Sequence, residues 1–270
     1  QPRMLPTLSS ASIRCVLFDL GGVVFDSPIS FVREFEIIKG YKKDSINRAF
    51  SRSKNWKKLE EGKIGQDEFC ERMILEGLLS KGVTVSDLRQ IMRGISSVMR
   101  PRKDMMLALG ILRSNGLKVG AVTNNWREMS SSAGMYGKWR DAFDVIVESA
   151  IEGVRKPNPQ IFKIACERVQ CDPKECIFLD DIGINLKSAR SLGMKTIKVK
   201  ASDTRGLNAL RELASLVGFD LLPRNKRKSS GSQQIMGSAA KNLPLFQQEY
   251  QKRYDNSKSS EDEVVLASKL

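Results

Sequence analysis

Five short β-rich runs recur along this chain, at VLF (16–18), KVGAVT (118–123), DVIV (144–147), CIFLD (176–180) and TIKV (196–199). Around the later four lie segments with helical spacing, roughly 102–114, 127–136, 159–170 and 183–192. Strands that alternate with helices are joined by crossovers rather than hairpins, so they lie parallel and are covered on both faces. The expected fold class is therefore α/β, a doubly wound parallel sheet. Local chemistry supports the helix ends. Asn158 is placed to cap a helix that has Pro159 in its first turn. The helix at 183–192 carries apolar residues at Ile184, Ala189 and Leu192 and stops at Gly193.

Residues 28–100 break that rhythm. They hold helical stripes and no convincing strand: Phe69, Met73, Ile74 and Leu78 in one stripe, Leu88, Ile91, Met92, Ile95 and Met99 in another. Such stripes are packing faces, so the segment is expected as a helical insertion after the first strand, placed to cover the strand ends. A chain of 270 residues has room for a sizeable core plus that insertion. The expected division is a disordered amino terminus at 1–12, an α/β core from 13–27 and 101–222, a helical cap at 28–100, and a mostly disordered basic tail at 223–270.

Composition removes whole classes of chemistry. No histidine occurs, so neither a Ser-His-Asp or Cys-His triad nor a histidine metal site can be built. Chemistry must rest on carboxylates, lysine, backbone groups or a metal held by oxygen. Five cysteines, at 15, 70, 166, 171 and 176, lack CxxC spacing, which argues against zinc and for a reducing compartment. Cys166 and Cys176 sit in apolar patterns and read as small core residues.

The net charge of +14 is spread along the chain: 15 basic against 11 acidic residues in 24–100, 19 against 14 in 101–222, and 9 against 5 in 223–270. Aromatic residues are few and not interleaved with the basic ones. This pattern favours a small anionic substrate over nucleic acid. No apolar run approaches the ~18 residues needed to cross a bilayer, so no membrane span is expected. Ser268-Lys269-Leu270 at the carboxyl end is the tripeptide read by the peroxisomal import receptor. Peroxisomal localisation is the expectation, with the cytoplasm as the alternative. Oligomeric state is left open.

Chemistry converges at strand ends. Asp19 ends the first strand in CVLFDLGGVVFD, Thr123-Asn124 ends the second, and Asp180-Asp181 ends the fourth. Lys156, in EGVRKPNPQIF, follows the third in its connecting loop. Ligands of open α/β sheets bind beyond the carboxyl ends of the strands. Taken singly, each residue has an ordinary use as a cap, turn or loop residue; all four at one rim, in this order, do not. The arrangement resembles the haloacid dehalogenase superfamily, most of whose members are phosphatases, over about residues 13–222. More narrowly, TNNW (123–126), ESAIEGVRKPNPQIF (148–162) and FLDDIGINLKSARSLGMKTIKV (178–199) are similar to the amino-terminal phosphatase domain of soluble epoxide hydrolase. They are equally similar to the related domain of certain acyl-CoA dehydrogenase family members.

The resemblance implies that Asp19 is the nucleophile, Thr123 the second motif, Lys156 the third and Asp180-Asp181 the acidic fourth, with 28–100 as the small helical cap. It also implies Mg²⁺ shared by Asp19, the Gly21 carbonyl and the Asp180-Asp181 pair. The family match gives direct ligation to Asp181, with Asp180 a ligand through water or an orienting group; sequence alone does not separate the two. Magnesium prefers such oxygen ligands and would offset the charge of a dianionic phosphorylated substrate. Lys156 would add a point charge against the phosphoryl oxygens, and the Thr123 hydroxyl and Asn124 amide would donate to the oxygens that do not react. Attack would give an aspartyl-phosphate that water hydrolyses.

One position departs from that pattern. The family's phosphatases normally carry a second Asp two residues after the nucleophile, as proton donor to the leaving oxygen; here Gly21 stands there. General acid–base catalysis is worth ~10²–10⁴-fold. The expected activity is thus a Mg²⁺-dependent phosphomonoester phosphatase that favours activated leaving groups, such as anomeric sugar phosphates or acyl phosphates. Alternatives are a proton supplied by Asp26 or a cap residue such as Glu61, a phosphate-binding domain with weak or no turnover, and a haloacid-dehalogenase-type hydrolase. The last leaves the Asp180-Asp181 pair without an obvious role.

Overall fold

The computed structural model describes residues 12–222, except 99 and 131–136. The chain opens with β1 (Cys15–Phe18), every residue of which is buried. Five helices follow: α1 (Pro28–Ile38), α2 (Ser45–Arg52), α3 (Lys54–Glu60), α4 (Gln66–Leu75) and α5 (Val85–Val98). Serines start two of them, Ser27 accepting from the Ile29 amide and Ser53 from the Trp56 amide. Thr84 and Asp87 start α5 reciprocally, each side chain accepting from the other's backbone amide.

The remaining elements alternate as the sequence predicts. They are α6 (Lys103–Ser114), β2 (Lys118–Thr123), α7 (Arg127–Ser130), β3 (Val145–Glu148), α8 (Ser149–Glu152), α9 (Pro159–Val169), β4 (Cys176–Asp180), α10 (Gly183–Ser191), β5 (Lys195–Lys198) and α11 (Leu207–Val217). The sheet is parallel throughout, in the order β3-β2-β1-β4-β5. The chain moves outward from β1 to one side through β2 and β3, then crosses back to place β4 and β5 on the other. Strand direction and order therefore put the switch point at β1, where a ligand crevice is expected. Phe18 pairs with Ala121 of β2 and Leu179 of β4, and the Asp19 amide extends the ladder to the Leu179 carbonyl at 2.8 Å. Residues 19, 122–123 and 180 thus reach the same edge together.

The Asn158 cap is formed, its side chain accepting from the Gln160 amide at 3.0 Å. The five cysteines are free and buried, and Cys166 and Cys176 lie in the core with Phe162 and Phe178. The stripe Leu88, Ile91, Met92 and Ile95 is buried, while Met99 lies outside the described residues.

Two details differ from the sequence reading. Phe69 and Met73 are buried, but α4 ends at Leu75, so Leu78 lies past the helix and is exposed. Glu76, which would continue that helix, turns its carboxylate to the amides of Lys54 and Asn55 and caps α3 instead. In α10 the buried residues are Asn185, Leu186 and Ala189, and Ile184 faces outward. The helix expected at 127–136 is described only over Arg127–Ser130. The tail at 223–270 with its Ser268-Lys269-Leu270 end, and residues 1–11, lie outside the described residues. Among the described residues no helix is long and apolar enough to cross a membrane.

Candidate active site

Asp19 leaves β1 into a glycine turn that ties its carboxylate down by one oxygen. Its Oδ1 accepts from the Leu20 amide at 2.7 Å and from Lys156 Nζ at 2.8 Å. Among the described residues none hydrogen-bonds to its Oδ2. Gly22 takes φ +80°, and a Cβ there would meet Asp181 Oδ2 at 2.5 Å, so this glycine is required both by the backbone and by the carboxylate beside it. Gly21, which lines the cavity with Asp19, has no such left-handed backbone.

Lys156 is fully buried, with its Nζ 2.8 Å from both Asp19 Oδ1 and Asp180 Oδ2 and 5.4 Å from the centre of the Phe178 ring. Asn124 holds it in place. The Asn124 Oδ1 accepts from the Lys156 amide at 2.9 Å and its Nδ2 donates to the Lys156 carbonyl at 3.1 Å. These bonds take its Oδ1 and one Nδ2 hydrogen, and Asn124 also lines the cavity. Thr123 is buried at the end of β2 and lines the cavity.

The two adjacent aspartates are separated by their surroundings. Asp180 is completely buried and its oxygens are occupied by the Ile182 amide at 2.6 Å, Asn185 Nδ2 at 3.0 Å and Lys156 Nζ at 2.8 Å. Asp181 is partly open, lines the cavity, and receives no side-chain hydrogen bond from another described residue. One oxygen from each of Asp19, Asp180 and Asp181 lies within 4.8 Å of the others. Three carboxylates face one ammonium, so the cluster carries excess negative charge in a poorly solvated place. Burial raises the Asp19 carboxyl well above the usual carboxylate range against the pull of Lys156, and Asp180 and Asp181 push the same way. Burial and Asp180 raise Asp181 to about 6. Burial opposes the charge on Lys156, but Asp180 and Asp19 outweigh it and hold its pKa above the ordinary lysine value. A divalent cation would relieve this imbalance, and hard oxygen ligands of this kind suit magnesium.

A cavity of about 570 Å³ lies over these groups, between the strand ends and the helical insertion. The insertion is clamped to the core around it. Glu60 at the end of α3 binds Arg155 Nε at 2.6 Å, Arg127 Nε donates to the Gly62 carbonyl at 3.1 Å, and Trp126 Nε1 donates to Gln66 Oε1 at 3.1 Å. Neither proton source expected from the sequence belongs to the cavity. Asp26 is 54% exposed and pairs with Arg102, while Glu61 pairs with Lys63 at 2.7 Å. Besides Asp19 and Asp181, the carboxylate that lines the cavity is Glu60, one residue before Glu61, and it is held by Arg155.

The sequence profile of the haloacid dehalogenase-like hydrolases matches residues 13–193. The chain belongs to that family. It is 36% identical to acyl-CoA dehydrogenase family member 10 of Mus musculus, over 78% of this chain and 20% of that protein. It is 32% identical to bifunctional epoxide hydrolase 2 of Rattus norvegicus, over 77% of this chain and 39% of that protein. The chain therefore spans about a fifth to two fifths of the length of these relatives. A sesquiterpene phosphatase of Aspergillus oryzae is 28% identical over 77% of this chain and 98% of its own. Among solved structures, a family enzyme from Bacteroides thetaiotaomicron, in complex with magnesium and inorganic phosphate, superposes with a TM-score of 0.50. It is 26% identical, over 71% of this chain and 96% of the other.

Motif spacing points to the strand-end aspartates and Lys156, which the structure brings to one edge. It does not point to Asn185, Arg155 and Glu60, which sequence reading missed. Asn185 had a signal: it lies five residues after Asp180, in the first turn of a helix that begins beside the carboxylate it serves. The Glu60–Arg155 pair joins residues 95 apart and has no local signature.

Proposed function

We propose that the protein is a Mg²⁺-dependent phosphomonoester phosphatase that works through an aspartyl-phosphate on Asp19. The observation that carries this reading is the grouping of Asp19, Lys156, Asp180 and Asp181, three carboxylates around one buried ammonium at the switch point of the sheet. Mg²⁺, held by Asp19, Asp181 and the Gly21 carbonyl, would supply positive charge against the phosphoryl oxygens. Asp180 acts from behind, fixing the Lys156 ammonium and receiving its own support from Asn185. Asp19 presents Oδ2 to phosphorus, because Oδ1 is already engaged by Leu20 and Lys156. Lys156 and the Thr123 hydroxyl stabilise the charge on the oxygens that stay with phosphorus. No side chain at position 21 hands a proton to the leaving oxygen, so esters with stable leaving anions react fastest.

Purified protein in Mg²⁺ is expected to hydrolyse a series of substituted phenyl phosphates with a steep dependence of kcat/KM on leaving-group acidity. A flat series would show that some other group supplies the proton. No Mg²⁺-dependent turnover across a broad panel of phosphate esters would favour a domain that binds phosphorylated ligands without hydrolysing them.

The metal has a readout independent of turnover. Asp19 and Asp181 hold protons in the metal-free fold at pH values where the unfolded chain has lost them, since their folded pKa values are raised. Their contribution to stability is present in full below the ordinary aspartate range and is lost as pH rises through about 6 and beyond. In EDTA the Tm is therefore expected to fall between about pH 5 and about pH 8, and Mg²⁺ is expected to restore it, most at the higher pH. Calorimetry checks this; a Tm at the higher pH that ignores Mg²⁺ would overturn the metal assignment.

A further inference from the structure

Two separate properties of the site narrow its substrate. The first is the wall of the cavity. Phe50 and Trp56 stack with centroids 4.7 Å apart and planes within 11°, and Trp56 meets Trp126 edge to face at 5.8 Å. All three line the cavity, so one aromatic wall runs from the helical insertion onto the core. At the mouth, Ile29, Ile182 and Ile184 are 41%, 50% and 61% exposed and line the same opening. Exposed isoleucines around an entrance are an apolar rim for an apolar ligand. On the wall itself, the Asn47 side-chain nitrogen is buried without a partner and offers one donor for a single polar substituent.

The second property is Gly21, which leaves the departing oxygen without a proton donor at that position. A sugar or polyol phosphate brings hydroxyls that this wall would strip of water and leave unpaired. An aliphatic alcohol suits the wall but departs poorly as an anion. A phenol meets both requirements, since its ring packs on aromatic side chains and its oxygen carries the charge after departure.

Resting on the phosphatase reading above, we propose that the preferred substrates are phosphate monoesters of apolar phenols, with the aryl group packed against Phe50, Trp56 and Trp126. In the first step Asp19 Oδ2 bonds to phosphorus and the bond from phosphorus to the aryl oxygen breaks, its electron pair leaving with the phenolate. Solvent protonates the phenolate. Water then attacks phosphorus, the Asp19–phosphorus bond breaks, and the proton of that water passes to solvent as inorganic phosphate leaves.

The test uses the full chain in Mg²⁺ and four esters. 4-Biphenylyl phosphate and phenyl phosphate have leaving groups of nearly equal acidity and differ in apolar ring area. Glucose 1-phosphate is activated but polar, and dodecyl phosphate is apolar but not activated. The biphenylyl ester is expected to exceed phenyl phosphate in kcat/KM by about tenfold, and glucose 1-phosphate and dodecyl phosphate by more. Trp56→Leu is expected to remove most of the biphenylyl advantage. Ile184→Gln, at an exposed position on the rim, is expected to reduce that advantage about threefold. Equal values for the two aryl esters, or a preference for glucose 1-phosphate or dodecyl phosphate, overturns the aryl assignment and leaves a phosphatase. Absence of turnover on all four overturns the phosphatase reading itself, and the substrate class falls with it.

Discussion

Asparagine at position 19 is expected to abolish Mg²⁺-dependent phosphate ester hydrolysis, a loss of ~10⁴-fold or more in kcat. The side chain keeps its shape, and its oxygen can still accept from the Leu20 amide and Lys156, which now contact Oδ1 at 2.7 and 2.8 Å. What disappears is the negative charge and the unengaged oxygen that attacks phosphorus. The fold should not suffer. Lys156 retains Asp180 as its partner at 2.8 Å, and the substitution removes a carboxylate whose charge is opposed by burial, Asp180 and Asp181. The Tm of Asp19→Asn in EDTA is thus expected to equal or exceed that of the parent chain near neutral pH. Measuring kcat and Tm on the same preparation separates the two effects. An Asp19→Asn protein with more than a few per cent of parental turnover would remove Asp19 from the nucleophile's role.

How much of this site was legible beforehand follows from where each signal lives. The sheet was readable because a parallel strand covered on both faces has to be a short apolar run, as CVLF and CIFLD are. Asp19, Thr123 and Asp180 were readable because Asp19 directly follows such a run and the other two close one, so the strand's end fixes their place. Lys156 was readable from its motif, although the contact that gives it meaning spans 24 residues to Asp180. The sequence did not reveal which groups those residues would satisfy. Asn124 has the chemistry to face a phosphate and lines the cavity, and the loop also brings the Lys156 main chain against it, which takes its Oδ1 and one Nδ2 hydrogen. Asp180 and Asp181 are identical in type and adjacent. The strand sends the first inward to Lys156 and Asn185, and the turn leaves the second at the cavity. Glu60 and Glu61 present the same ambiguity at a helix end. α3 stops at Glu60, so the one-residue difference sends Glu60 to Arg155 and Glu61 to Lys63. The aromatic wall joins residues 50, 56 and 126, and no periodicity links them.

Aspartate at position 21 is expected to raise kcat on esters with poor leaving groups, such as an alkyl phosphate, by ~10²–10⁴-fold, the usual worth of a placed general acid. The two consecutive glycines make the experiment possible because they differ in kind. Gly22 sits at φ +80° with Asp181 against it, so a side chain there is strained and collides with the carboxylate. Gly21 lines the cavity without a left-handed backbone, so its lack of a side chain is not imposed by conformation. A carboxyl introduced there would share the cavity with Asp19 and Asp181, whose negative charge favours its protonated form, and a protonated carboxyl is what a leaving alkoxide requires. On an aryl phosphate with an acidic leaving group the same substitution should change kcat little, because departure there needs no proton. Gly21→Asp is therefore expected to flatten the dependence on leaving-group acidity by lifting its slow end alone. Gly22→Asp, the matched control, should lose activity on every ester. An equal gain across all esters would mean that the new carboxylate acts through the metal or the fold. No gain on the alkyl ester would mean that the proton already comes from elsewhere, and that the absence at position 21 does not limit this enzyme.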